Sequence, residues 1–261
     1  MLEAPPPGKD RMQAAPRTRE AVTGLIGAPA QAMEALRRLL WGREHYIAFR
    51  DHPIVYGRVP KAANSTIKVM LARLLDGQRR GVSPDNFWKF ETGGRTSMLR
   101  TRDAARLADD RLVFTFVRNP ADRLASFYDN KVRDENATLP MAAQKMGITK
   151  SDSLARVVEI VCDTPPDRMD VHVLPQADIL VHRGRLVPGF VGRYETFADD
   201  WEALRQKIIG RFGLDLGEFR KKPTHRIRTR SIEEYYGDTR LLEKVRRRYE
   251  QDFRLFYPDQ L

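Results

Sequence analysis

The stretch "RLVFTFVRNPADRLASF", residues 111–127, decides the fold. Its core, LVFTFV, is an apolar run of six, as expected for a strand buried on both faces of a parallel sheet. Pro120 then stands where the first turn of a helix accepts proline, and ADRLASFYDNKV reads as that helix. Upstream, residues 54–59 (IVYGRV) read as a second strand and 65–75 (STIKVMLARLL) as a helix with Ile67, Met70, Leu71 and Leu74 facing the core. Residues 76–101 are loop-rich, and a short helix is expected near 102–109. Residues 131–150 read as a polar substrate loop. Downstream, Thr149-x-x-Asp152 reads as a capping box opening the helix SLARVVEIVC. DILVHRGRLVPGFVGRY reads as strand, turn at Arg183-Gly184, then strand. Thr196-x-x-Asp199 opens the helix FADDWEALRQKII, which Gly210 or Gly213 ends. A last helix is expected near 238–253. Strands alternating with helices predict an α/β fold with a largely parallel central sheet flanked by helices.

The chain has 261 residues, is 41% hydrophobic and carries a formal charge of +11. It shows no internal repeat. Residues 220–248 hold eleven Lys/Arg against four Asp/Glu, a net of +7. Such a balance favours anionic partners: nucleotide phosphates, nucleic acid, an acidic polysaccharide or a membrane surface. The single cysteine, Cys162, excludes an intramolecular disulfide and reads as a small core residue. Five scattered histidines make no metal signature, so no metal site is expected. The polar, Pro-rich residues 1–30 read as a disordered N-terminus, and 31–261 as a single domain led by an amphipathic helix at 31–41. No signal peptide or membrane span is recognisable, so a cytoplasmic protein with at most peripheral membrane contact is expected.

Two stretches carry chemistry. The first, Pro60-Lys61-Ala62-Ala63-Asn64-Ser65-Thr66, lies between strand and helix. There, backbone N–H groups and the positive end of the helix dipole converge on one spot. Small residues at 62–66 admit a phosphate, Ser65 and Thr66 add hydroxyl donors, and Lys61 adds a full charge. The Walker A pattern is not met: the lysine opens the turn, and residues 61–66 lack glycine. The second stretch follows LVFTFV. Arg118 ends that strand where a guanidinium can fork onto a phosphate. Arg123 and Ser126, three apart, share a helix face. An arginine at this strand end repels Mg²⁺ and attracts another anion. Two anion sites on neighbouring strands suit a ligand with phosphates at both ends, such as 3′-phosphoadenosine 5′-phosphosulfate (PAPS), whose product is 3′,5′-ADP.

The pattern resembles the carbohydrate sulfotransferases of the family 2 type, which include the HNK-1 and chondroitin/dermatan 4-O-sulfotransferases. The family's 5′-phosphosulfate loop, roughly P-K-x-A-x-[ST], is similar to residues 60–66. Its 3′-phosphate motif, roughly F-x-V-R-[ND]-P-x-x-R-L-x-S-x-[YF], is similar to the run from Phe116 or its neighbour through Arg118, Pro120, Arg123, Leu124, Ser126 and Tyr128. His172…Pro175-Gln176, VGRYET (191–196) with Asp200, and Tyr235-Tyr236 with Tyr249…Asp252-Phe253 extend the resemblance over about 54–257. Asn64 and Ile67 stand where members often carry Cys and Trp. Eukaryotic members usually have an N-terminal membrane anchor, which is not seen here, so a soluble bacterial member is expected.

The resemblance implies a P-loop-NTPase-like sulfotransferase fold and transfer of a sulfuryl group from PAPS to an acceptor hydroxyl, without a metal. The acceptor it implies is a saccharide, with the basic segment suiting an acidic one; nucleic acid is not expected as a partner. Lys61, Ala62, Ala63, Asn64, Ser65 and Thr66 would hold the 5′ end, and Arg118 with Ser126 the 3′-phosphate. The candidate base is His172, with Glu91 as its rival and His225 a third choice. Glu195 is expected to brace the fold or cap a backbone group. The basic residues Arg226, Arg228 and Arg230 could line the acceptor cleft or help bind the nucleotide. The alternatives are a metal-dependent nucleotide kinase or NTPase with a divergent phosphate loop, a basic nucleic-acid binder without a recognisable module, and an inactive nucleotide-binding relative.

Overall fold

A computed structural model describes residues 44–75, 94–219 and 231–260. The expected N-terminal segment, the 31–41 helix, Glu91, His225 and the arginines 226, 228 and 230 lie outside these residues.

In chain order, β1 spans Tyr46–Phe49, β2 Ile54–Gly57, α1 Asn64–Leu71, β3 Thr96–Leu99, α2 Thr101–Leu107 and β4 Leu112–Val117. Then come α3 (Pro120–Phe127), a π-helical turn (Tyr128–Arg133), α4 (Met141–Lys145), α5 (Leu154–Asp163) and α6 (Gln176–Leu180). The chain continues through β5 (Val181–His182), β6 (Arg185–Leu186), β7 (Phe190–Arg193) and α7 (Phe197–Phe212). It closes on α8 (Ile232–Tyr236), α9 (Thr239–Arg248) and α10 (Glu250–Phe256).

Five strands form one sheet in the order β3-β1-β2-β4-β7. β2 pairs parallel with β4, and β4 with β7, while β1 runs antiparallel to both its neighbours. Four strands therefore point one way. β4 is buried along its whole length, and its side chains alternate between two cores. Val113 and Val117 join one, packed by Leu124 and Phe127 of α3 and Val157 and Val161 of α5. Leu112, Phe114 and Phe116 join the other, with Ile67 and Leu71 of α1 and Trp201 and Leu204 of α7. The period-2 alternation of a strand thus reads out as a sheet sandwiched between helical layers. Thr115, the one polar residue in the strand, is fully buried, and its hydroxyl donates to Gly57 O at 2.8 Å. Gly57 ends β2 under the Tyr46 ring, where a Cβ would lie 2.9 Å from Tyr46 Cε1.

Several expected boundaries are corrected. The segment DIL, read as strand, is the end of helix α6. Its first N–H groups, on Gln176 and Ala177, donate to the Asp252 carboxylate at 2.8 and 2.7 Å, a cap supplied from far along the chain. Residues 96–99, read as loop, form edge strand β3. Helix α5 is capped by Ser153, whose hydroxyl accepts from Arg156 N–H, and Asp152 instead closes the turn through Thr149 N–H. Thr196 precedes α7 without capping it and donates to Asp200 at 2.7 Å. Gly213, at φ 64°, ends that helix, and Gly210 lies inside it. The last expected helix, near 238–253, is two, α9 and α10, broken at Tyr249, and the short helix α8 precedes it, ended by Gly237. Cys162 is half-buried against the core, and burial pushes its thiol up to about 11. No helix among the described residues is long and apolar enough to cross a membrane.

Candidate active site

The site grows from the carboxyl ends of β2 and β4, which are hydrogen-bonded neighbours. After β2 the chain turns through Lys61 (φ 70°) and Ala63 (φ 57°), two non-glycine residues in the left-handed region. Each such residue costs of order 1 kcal/mol or more, a local strain typical of ligand-holding loops. The turn delivers the chain into α1, whose cap residue, Ala63, makes no side-chain capping bond. The N–H groups of Asn64, Ser65 and Thr66 stand in the first helical turn, where no intrahelical acceptor exists. Asn64 Oδ1 accepts from Tyr56 OH at 3.2 Å, which turns its side chain toward the sheet.

Arg118 leaves β4 beside this turn. Its guanidinium donates to Lys61 O at 3.3 Å and lies 4.2 Å from the centre of the Tyr194 ring. Its Nε is buried with no hydrogen-bond partner among the described residues. The Arg118 backbone is held at both ends by one side chain: its N–H donates to Gln176 Oε1 at 2.9 Å, and its C=O accepts from Gln176 Nε2 at 2.8 Å. Gln176 is in turn fixed by buried Asp252. Burial pushes the Asp252 carboxyl above its ordinary range, against the pull of those bonds.

Arg123 lies 1% exposed on α3. Its guanidinium donates to Pro60 O at 2.9 Å, Leu174 O at 2.7 Å and Val171 O at 3.0 Å. One cation thus ties the carbonyl before Lys61 to the segment carrying His172. Burial pushes its pKa down from the ordinary guanidinium value. Ser126, on the same helix, is buried and accepts from Asn130 Nδ2 at 3.3 Å.

Lys61 is pushed down to about 8, first by burial and then by the charges of Lys131, Arg118 and Arg123, with Asp129 opposing. This is the signature of cations gathered for an anion. The residues fit a phosphorylated ligand: an orphaned guanidinium N–H, a lysine among cations and an uncapped helix start.

His172 holds its Nδ1 2.6 Å from Asp170 Oδ1, and its backbone N–H donates to the same oxygen at 2.8 Å. The carboxylate orients the ring through Nδ1. Burial raises the Asp170 carboxyl, but the bonds and charge of His172 outweigh it and hold the group below its ordinary value. Glu195 accepts from Asn119 N–H and Tyr257 OH, both at 2.8 Å, so it braces the strand end and caps a backbone group.

The structure therefore brings Lys61, the 62–66 turn and Arg118 together. Arg123 and α3 tie Ser126 and the His172 segment to them. The sequence reading gave no role to Asp170, Tyr194, Gln176 or Lys131. The D-x-H spacing at 170–172 was the available signal for the first; the others act through tertiary contacts.

A model of the Sulfotransferase family, Sulfotransfer_2, matches residues 44–258. The chain belongs to the sulfotransferase family. Both anion-loop stretches and the His172 segment lie inside the match, and the mixed α/β sheet agrees with a sulfotransferase fold. Neither the search of curated proteins nor that of solved structures returned a match. Membership establishes sulfuryl transfer to a hydroxyl-bearing acceptor as the family's general chemistry.

Proposed function

We propose that this sulfotransferase takes its sulfuryl group from PAPS and transfers it to a hydroxyl of a saccharide. The observation that carries the donor assignment is Arg118: a guanidinium at a strand end, touching the Lys61 carbonyl, with a buried Nε that no group among the described residues satisfies. A buried unpaired donor costs about 1–3 kcal/mol, a cost that an anionic ligand removes. PAPS supplies the activated sulfuryl group. The backbone N–H groups and hydroxyls of residues 64–66 hold its 5′ end, and Arg118 with Ser126 takes the 3′-phosphate. Lys61 places its charge where negative charge develops on the departing phosphate. Its loss costs roughly 10²–10³ in rate, the scale of one preorganised charge-stabilising group. His172 accepts the acceptor's hydroxyl proton at Nε2 while Asp170 steadies the ring through Nδ1. The saccharide assignment rests on the resemblance and on the chain's positive charge.

Thermal unfolding with 3′,5′-ADP, against ATP with Mg²⁺, tests the donor. At about 100 times its dissociation constant, 3′,5′-ADP adds roughly 2.7 kcal/mol to wild type and nothing to Arg118→Ala. A response to ATP–Mg²⁺ alone overturns PAPS as the donor.

A further inference from the structure

Residues 170–175, which carry His172 toward α6, belong to no helix or strand. Val173, Leu174 and Pro175 are nonetheless buried. A buried turn must find partners for its backbone groups outside any ladder. Part of this one closes on itself: His172 N–H donates to Asp170 Oδ1 at 2.8 Å, and the N–H groups of Val173 and Leu174 donate to Asp170 O at 3.1 and 2.9 Å. The carbonyls that follow are met by side chains. Val173 O accepts from Tyr249 OH at 2.5 Å. Val171 O and Leu174 O accept from two nitrogens of one guanidinium, that of Arg123, at 3.0 and 2.7 Å. Its third nitrogen, Nε, donates to Pro60 O at 2.9 Å. Arg123 is thus committed to carbonyls through all three nitrogens. Its task differs from that of Arg118, earlier in the same stretch, whose Nε has no partner among the described residues.

The Pro60 end of this bridge meets the donor loop at its first residue. Pro60 C=O and Lys61 N–H lie in one planar peptide unit, so whatever fixes one fixes the other. The torsion that follows is the strained one, φ 70° at Lys61. A ligand that settles the Lys61 turn therefore settles the carbonyl that Arg123 holds. The guanidinium is a rigid fork, so the constraint passes to Val171 and Leu174. Gln176, next after the turn, clasps the Arg118 backbone at 2.9 and 2.8 Å and fixes the far end independently. We infer that Arg123 is a positioning residue: it fastens the His172 turn to the donor loop, so that a nucleotide held at Lys61 also holds His172 in place. The inference rests on the donor reading above and adds that filling the donor site and setting the His172 turn are one event. A lysine at 123 keeps the charge but gathers it at one atom, which does not span three carbonyls from two segments.

The test is hydrogen exchange of the full chain, read by mass spectrometry, with and without saturating 3′,5′-ADP. Wild type, Arg123→Lys and Tyr249→Phe are compared, and calorimetry records nucleotide binding by each. Tyr249→Phe loosens the same turn at Val173 O and leaves the Arg123 bridge in place. The expected result is that 3′,5′-ADP slows exchange of the 172–174 amides about tenfold in wild type and in Tyr249→Phe, the scale of a coupling between two sites. In Arg123→Lys the nucleotide binds and the slowing is lost. A merely structural Arg123 predicts another pattern: the variant exchanges faster in this turn with and without nucleotide alike, and the slowing persists. That pattern overturns the inference, as does loss of the slowing in Tyr249→Phe as well. No slowing in wild type with 3′,5′-ADP bound overturns it and leaves the donor reading standing; this arm needs no variant and decides the matter even where Arg123→Lys does not fold. Wild type that binds no 3′,5′-ADP in the calorimeter removes the donor reading itself, and this inference with it.

Discussion

Lys61 carries a measurable consequence of its surroundings. Its ammonium is held down to about 8 from an ordinary 10.5 by burial and by three neighbouring cations. Between those values the unfolded chain binds the proton and the folded chain does not. Stability attributable to this residue therefore rises with pH across that window, and the penalty is fully present below pH 8. A bound phosphate reverses the balance, because an anion beside Lys61 restores its proton. At pH 8.5, binding of 3′,5′-ADP should take up a fraction of a proton. Calorimetry in two buffers of different ionisation enthalpy reads that uptake directly. It should vanish in Lys61→Met, and equal uptake in that variant would show that another group titrates. Lys61 and Arg118 were legible in the sequence because each stands at the end of an apolar run, where a parallel sheet presents its ligands. Arg123 was legible only as a helix-face neighbour of Ser126. That its guanidinium spans three carbonyls from two distant segments is tertiary information.

At the scale of elements, the sheet is set by close backbone approach at a few positions. Gly192 in β7 lies over the Phe116 ring, where a Cβ would come within 2.4 Å of Cε1. Phe116 cannot step aside, since it is packed between Phe190, Phe197 and Trp201 at centroid distances of 4.8–6.4 Å. Gly192→Ala should therefore cost about 1–3 kcal/mol, a fall of roughly 2–10 °C in Tm. Gly210, inside α7, meets nothing within 4 Å, so Gly210→Ala should raise Tm slightly by restoring helix propensity. Opposite signs from the same substitution, read by calorimetry, would locate the constraint in packing; two losses would not. The strands β2 and β4 were legible because both faces are buried and the apolar run is unbroken. β1 and β3 were not, because short strands next to a loop-rich stretch carry little periodic signal. The break at Tyr249 escaped notice for a different reason: the α9–α10 pattern is continuous, and the kinked residue is anchored through its hydroxyl to Val173 O at 2.5 Å.

Across the whole molecule, positive charge exceeds negative by eleven, and part of that excess meets at Lys61, Arg118, Arg123 and Lys131. Two effects of added salt can be separated there. Screening relieves the mutual repulsion of cations in proportion to ionic strength and takes little account of which anion is present. A shaped anion site responds to the species. Inorganic sulfate, tetrahedral and divalent, should stabilise the protein more than chloride does at matched ionic strength. Sulfate also strengthens apolar burial in any protein, so that comparison alone decides nothing. Arg118→Ala supplies the reference, since it keeps the core, the surface and the general salting effect while removing the guanidinium whose Nε has no partner among the described residues. The expected outcome is a sulfate-minus-chloride increment in Tm that is larger in wild type than in Arg118→Ala and saturates at millimolar sulfate. An increment that is equal in both proteins and linear in concentration would mean that the gathered cations are a surface property of a basic chain. A saturating increment confined to wild type would mean that they form a site.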